Sequence, residues 1–408
     1  MHILTVTSLF PNTAQPLHAV FVKARMEAFV RKFGHRWSVV APVPFVPRFA
    51  SALKRTYRRY VAVPTYEEPW GYPVHHPRYL VLPNRESRDR VWGLGMRYYG
   101  RWMTRSVRAI VREIHARHPI DIIDGHYVYP DGTAAVTLGR ELGVPVVLTA
   151  RGSDLNIYPR LQSVRRLVRA NLLDCDHLVC VCEELKSAAL QLGISAAKTS
   201  VIGNGVDAER FRGGDMRAAR AALGLRSDVP ALLSVGHMTE RKGFHILIEA
   251  FAALSRDDAI LVIVGDGPQR EELLALARRY RLGSRAHFPG AVSNERLPDW
   301  YRAADLFVLA SSREGWPNVL CEAQACGVPA VATRVWGIPE IVSDGRLGVL
   351  VDGGSMDALR IGLEMALGRK WDRSYIESVG RSRTWERVAA ELAPIFDRLS
   401  ACGRVARV

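Results

Sequence analysis

One stretch limits the possible folds of this 408-residue chain more than any other. It is the apolar run Asp305-Leu306-Phe307-Val308-Leu309-Ala310, followed by a small-residue turn and then a helical pattern. The run does not alternate polar with apolar residues, as expected of a strand buried on both faces of a parallel sheet. Ser311-Ser312-Arg313-Glu314-Gly315-Trp316 interrupts it. Pro317 stands where a first-turn proline belongs, and Asn318 to Cys326 reads as helix. A helix start carries unpaired N–H groups and positive partial charge, which suits a phosphate. Glu314 in the loop and Glu322 in the helix repel phosphate but accept hydrogen bonds from hydroxyls. A polyol joined to a phosphate satisfies both features.

The same strand-loop-helix unit recurs along the chain. His2 to Thr7, Ala19 to Lys32 and Trp37 to Ala41 read as strand, helix and strand, the opening of a doubly wound parallel sheet. Pro42 to Pro83 reads as irregular. Arg85 to His118 reads as one long helix with Tyr98, Tyr99 and Trp102 among its arginines. Strands at 121–124, 144–149, 177–181 and 200–202 follow, and the pattern restarts with strands at 231–235, 260–264, 286–288 and 330–333. The expected architecture is α/β, with two Rossmann-like units: 1–204, 205–375, and a helical segment 376–408 returning to the first. Ligands of such sheets bind beyond the carboxyl ends of the strands, so a two-lobed clamp with its ligand in the cleft is expected.

Composition narrows the partners. Hydrophobic residues make up 48% and charged residues 24%, which fits a packed globular protein. The formal charge of +15 favours anionic partners. Two thirds of the excess lies between Arg48 and Arg117, where fifteen basic residues face five acidic ones. No secretory leader and no run of about 18 apolar residues is visible, so a cytoplasmic protein is expected. The six cysteines form no C-x-x-C pair and read as buried reduced thiols. No metal-ligand cluster is apparent: His75-His76 is adjacent rather than spaced, and no D-x-D ends a strand.

In the second half, Arg241 and Lys242 lie between a strand and a helix that begins near Gly243, and together can neutralise a diphosphate. Gly265-Asp266-Gly267-Pro268 ends another strand but lacks the third glycine and later acid of a dinucleotide fingerprint. In the first half, His126 and Asp131 sit in the loop Gly125-His126-Tyr127-Val128-Tyr129-Pro130-Asp131-Gly132. Asp154 ends Arg151-Gly152-Ser153-Asp154, where it reads equally as a helix N-cap.

Taken in order, these pieces resemble the retaining glycosyltransferases of family 4, which have the GT-B fold. The resemblance rests on the Glu314/Glu322 pair at E-x7-E spacing, the Arg241-Lys242-Gly243 corner, Val264-Gly265-Asp266-Gly267-Pro268, His126, and Asn204-Gly205-Val206-Asp207. It covers nearly the whole length. It implies transfer of a sugar from a nucleotide-diphosphate sugar, UDP- or GDP-linked, with no metal or other cofactor. It assigns catalysis to His126, Glu314, Arg241 and Lys242. Donor binding goes to Glu322 at the ribose, to Gly315, Trp316, Pro317, Asn318 and Val319 through their backbone, and to Gly267.

Two departures stand out. His237 occupies a position that is often arginine, which moves that role to Arg241. Pro16-Leu17-His18 stands where relatives carry a glycine pair. The 17–22 segment, Tyr129-Pro130-Asp131-Gly132 and Arg151-Gly152-Ser153-Asp154 are similar to enzymes that build teichuronic acid and exopolysaccharides. That implies a lipid-linked or other glycan acceptor near His18, Asp131 and Asp154. The basic 48–117 stretch would then dock on the anionic inner face of the cell membrane. A GT-B nucleotide-sugar epimerase is the enzymatic alternative. A nucleic-acid-binding protein fits less well, because the aromatic and basic residues sit in an insertion of an enzyme scaffold rather than on one small face.

Overall fold

The computed structural model describes residues 1–47, 55–82, 85–86, 91–92 and 95–405. Arg48, Lys54, Arg88 and Arg90 of the basic stretch lie outside them, and so do the side chains of Arg55, Arg85 and Cys402. The chain divides into two compact units, 1–204 with 385–408, and 205–384.

Among the described residues, the main sheet of the first unit has eight strands: β1 (His2–Val6), β2 (Arg36–Val40), β3 (Tyr66–Glu67), β4 (Val74–His75), β5 (Ile122–His126), β6 (Val146–Ala150), β7 (His177–Cys180) and β8 (Thr199–Val201). Their order in the sheet is β8-β7-β6-β5-β1-β2-β4-β3. All neighbours are parallel except β3 and β4. The central strands are buried along their whole length, Asp124 and His126 of β5 included. Helix α1 (Val20–Phe33) turns Val22, Met26 and Phe29 inward at helical spacing. The basic 48–117 stretch contributes α2 (Arg55–Ala62) and α3 (Met96–Arg117). Helix α4 (Asp131–Leu142) and the one-turn α5 (Ser153–Asn156) follow β5 and β6.

The expected helix over 85–118 is shorter. Arg85–Glu86 and Val91–Trp92 pair as antiparallel strands, and α3 begins only at Met96. The run Arg85-Glu86-Ser87-Arg88-Asp89-Arg90 has no apolar residue to bury, and Gly93 and Gly95 disfavour helix. Conversely, α2 is a helix within a stretch read as irregular.

The second unit carries β9 (Ala231–Val235), β10 (Ile260–Val264), β11 (Ala286–Gly290), β12 (Leu306–Leu309), β13 (Ala330–Thr333) and β14 (Gly348–Val351). They form an all-parallel sheet in the order β11-β10-β9-β12-β13-β14. One apolar cluster, with Leu233, Phe307, Tyr301 and Leu320, covers one side. A second, with Leu232, Phe244, Phe251 and Val308, covers the other. Successive residues of β9 and β12 therefore feed opposite cores, and each buried Leu or Phe contributes roughly 1.5–3 kcal/mol. Helices α6 (Phe244–Ala252), α7 (Leu297–Ala303), α8 (Asn318–Ala325) and α9 (Arg373–Ser382) belong to this unit.

The segment expected to return to the first unit as 376–408 is split. Helix α9 stays in the second unit, where Ile376 is part of the core beside α8. Only α10 (Trp385–Val405) joins the first unit, where Val388, Ala389, Leu392 and Phe396 complete the core against α1. No helix among the described residues is long and apolar enough to cross a membrane.

Candidate active site

In the second unit, β9, β10 and β12 deliver their loops to the carboxyl edge of the sheet. Backbone bonds tie these loops together. Ser312 N donates to Arg241 O at 2.8 Å, Met238 N to Asp266 O at 2.9 Å, and Gln269 N to Met238 O at 3.1 Å. The approach is close enough to require glycine. Gly243 has φ +67°, and a Cβ there would overlap the carbonyl oxygen of Ala310. A Cβ on Gly267 would lie 2.5 Å from Met238 O. The glycine expected to close over a nucleotide thus also seats its loop against the β9 loop.

Glu314 is at the centre of this edge and is buried. Lys242 Nζ lies 2.6 Å from its Oε1, and Arg241 Nη1 lies 3.1 Å from its Oε2. Ser311 Oγ donates to Oε1 at 2.8 Å, and Arg241 Nη1 also donates to Arg313 O at 2.7 Å. Burial alone would raise the Glu314 pKa, but Lys242 and Arg241 override it and hold the carboxyl down at about 2. The three charged residues expected to handle donor chemistry therefore form one ion-paired group.

Glu322 lies one turn into α8 and is partly buried. Its Oε2 accepts from Tyr301 Oη at 2.8 Å, and burial raises its pKa to about 7. Pro317 immediately precedes α8 rather than occupying its first turn, with φ −76° and ψ 99°. Gly315, Trp316, Asn318 and Val319 are partly buried in the same segment, and the Arg383 guanidinium lies 5.4 Å from the Trp316 ring centre. His237 is exposed at the start of the β9 loop.

The first unit corrects the sequence reading at several positions. His126 is fully buried at the end of β5. Its Nε2 lies 2.8 Å from Asp124 Oδ2, and its Nδ1 lies 2.8 Å from Arg151 Nη2. A guanidinium only donates, so Nδ1 accepts and Nε2 carries the hydrogen given to Asp124. Burial, reinforced by Arg151, lowers the imidazole pKa to about 4 despite Asp124. Both ring nitrogens are engaged, so in this arrangement His126 links Asp124 to Arg151 instead of presenting a nitrogen to a sugar.

Asp154 is not an N-cap, and its carboxylate is turned to backbone N–H groups. It is fully buried and accepts from the backbone N–H groups of Val128 at 2.9 Å, Arg151 at 3.1 Å and Gly152 at 2.7 Å. Its charge is spent holding the β5 and β6 loops. Asp131, also buried, accepts from the backbone N–H and hydroxyl of Ser8. Exposed His18 bonds the carbonyl of the same Ser8 through Nε2 at 3.2 Å. Of the three residues expected at the acceptor, only His18 keeps an open side chain.

Residues given no individual role in the sequence reading do much of this fixing. Arg151 Nη1 donates to Asn204 Oδ1 at 2.6 Å. Arg25 is buried within the apolar stripe of α1, where Nη1 donates to Thr149 Oγ1 at 3.1 Å. A basic residue at an inward-facing helical position was the available signal for Arg25. For Arg151 it was the place directly after an apolar strand. Tyr301 sits on α7 directly upstream of the strand that leads to Glu314.

The fold and this cluster define a glycosyltransferase of the GT-B type. A model described as Glycosyl transferases group 1 matches residues 215–382, and one described as Glycosyltransferase Family 4 matches residues 31–210. The chain belongs to the family 4 glycosyltransferases. It is 31% identical over 347 residues to TuaC of Bacillus subtilis, provisionally named a teichuronic acid biosynthesis glycosyltransferase, covering 84% of this chain and 83% of that protein. Sucrose-phosphate synthase from Thermosynechococcus elongatus shares the fold, with a TM-score of 0.75, 21% identity and coverage of 98% and 99%. So does Alr3699/HepE of Anabaena, solved in complex with UDP, with a TM-score of 0.73, 19% identity and coverage of 98% and 100%.

Proposed function

We propose that this glycosyltransferase moves a sugar from a nucleotide-diphosphate sugar to a lipid-linked or other glycan acceptor in cell-surface polysaccharide biosynthesis. The anomeric configuration is retained, and no metal ion or other cofactor takes part. The observation that carries this reading is the convergence of Lys242, Arg241 and Glu314 at the carboxyl ends of β9 and β12, with Glu322 on the following helix. Lys242 and Arg241 neutralise the diphosphate, aided by the N-terminal amides of α8. Glu314 accepts hydrogen bonds from the sugar hydroxyls, and Glu322 from the ribose. The acceptor oxygen bonds to the anomeric carbon on the face from which the diphosphate departs. The acceptor proton passes to a departing phosphate oxygen. The contribution of this chain is orientation and charge stabilisation of the leaving group. His126 acts as a buried support.

The UDP complex of the Anabaena protein supports a nucleotide donor of this class. The name of the Bacillus subtilis relative supports a cell-surface glycan. A membrane-bound acceptor is consistent with the exposed basic residues of the first unit, Arg58 and Arg59 on α2 and Arg97, Arg101 and Arg105 on α3. The enzyme would then work at the cytoplasmic face of the membrane.

A thermal-shift screen of UDP-, GDP- and ADP-sugars tests the donor site. One donor class should raise the melting temperature of the unmutated protein, and Lys242→Ala should abolish that rise. Equal shifts in both proteins would refute the assignment.

A further inference from the structure

Resting on the donor site proposed above, we infer that Glu314 has a second role: it is the anion that replaces the departing nucleoside diphosphate on Lys242 and Arg241, and so speeds product release. Both cations are paired with Glu314, at 2.6 and 3.1 Å. The Glu314 side chain is 8% exposed and that of Lys242 is 12% exposed, so this pair has little solvent screening. Arg241, at 40%, is the more open partner. The carboxylate does not depend on the cations for its place, because Ser311 Oγ holds Oε1 at 2.8 Å. It remains poised when a phosphate draws the cations away.

Two anions competing for one pair of cations weaken each other reciprocally. The carboxylate that orients the sugar thus also lowers the affinity for the diphosphate left behind. A site built from the cations alone would hold its product tightly and turn over slowly. Arg241, the more open of the two cations and also bonded to the Arg313 carbonyl, is the group that exchanges between carboxylate and phosphate.

The test measures binding of UDP, GDP and ADP by calorimetry to the unmutated enzyme, Glu314→Gln, Glu314→Asp and Lys242→Ala. Glu314→Gln should bind the preferred diphosphate at least about fivefold more tightly, through slower dissociation. Glu314→Asp keeps the charge and should stay within about twofold of the unmutated enzyme. Equal or weaker binding by Glu314→Gln overturns the inference. Loss of binding in Lys242→Ala without tightening in Glu314→Gln refutes only this second role. Unchanged binding in Lys242→Ala refutes the donor site, and the second role falls with it. If Glu314→Gln does not fold, the carboxyl carbon-13 resonance of Glu314 in the unmutated enzyme decides. A shift on saturation with the diphosphate is expected, and no shift overturns the inference.

Discussion

Among the described residues, Glu322 pairs with no cation at hydrogen-bonding distance, and its side chain accepts a hydrogen bond from Tyr301. Burial raises its pKa from 4.5 to about 7, so the neutral form is favoured in the fold. A carboxyl with a raised folded pKa adds stability that is complete below the unfolded value and is lost as pH rises through the folded one. Relative to the unmutated protein, Glu322→Gln should therefore melt roughly 2–4 °C higher at pH 8.5 and about the same at pH 4, as a calorimetric series would show. Removing the Tyr301 hydroxyl by Tyr301→Phe should increase the donor KM several-fold and move the acid limb of its pH profile upward. The two glutamates and the Arg241-Lys242 corner were legible in the sequence because their spacing ties them to strand ends. Their mutual pairing was not, since Glu314 and Lys242 are 72 positions apart and meet only when β9 and β12 become neighbours. Arg25, Asp124 and Arg151 were less legible still. A buried charged group is identified by its tertiary partners, and nothing in the local sequence names them.

At the level of elements, parallel strands such as β10 and β12 were readable because burial on both faces leaves continuous apolar runs. Boundaries were less so, and the region before α3 shows why: a helix read from its arginines had no apolar residue to bury between Arg85 and Arg90. The real α3 places Arg97, Arg101 and Arg105 four residues apart on one exposed side. Replacing all three with glutamine should reduce co-sedimentation with vesicles containing anionic lipid while leaving the melting temperature within about 1 °C. Each basic residue near such a surface is worth about 1 kcal/mol, so the loss should be large at low salt and small at high salt. Equal binding to zwitterionic vesicles would point away from a charge-based contact. The β9 loop makes the opposite demand, for closeness rather than charge. Gly243→Ala adds a Cβ against the Ala310 carbonyl at a positive φ, and should destabilise by at least about 1 kcal/mol in denaturant unfolding while weakening donor binding.

Over the whole molecule, the second unit has its own sheet with an apolar cluster on each face, whereas the first needs α10 to finish its core. Residues 205–384 expressed alone should fold cooperatively and retain the thermal shift with the preferred donor. A chain ending at residue 384 should keep that shift but expose the α1 face, as early proteolysis of the first unit would reveal. Within the full chain, Phe396 is fully buried with its ring 5.0 Å from that of Phe29, and Phe396→Ala should cost roughly 3–5 kcal/mol in the first unit. The late placement of α10 also bears on synthesis. During translation, the α1 face emerges early and its cover comes only after 180 intervening residues of the second unit. At about 5–20 residues per second, that apolar surface waits on the order of ten seconds or longer for its partner. The nascent first unit is thus a natural client for chaperones, while the second can close as soon as it clears the ribosome.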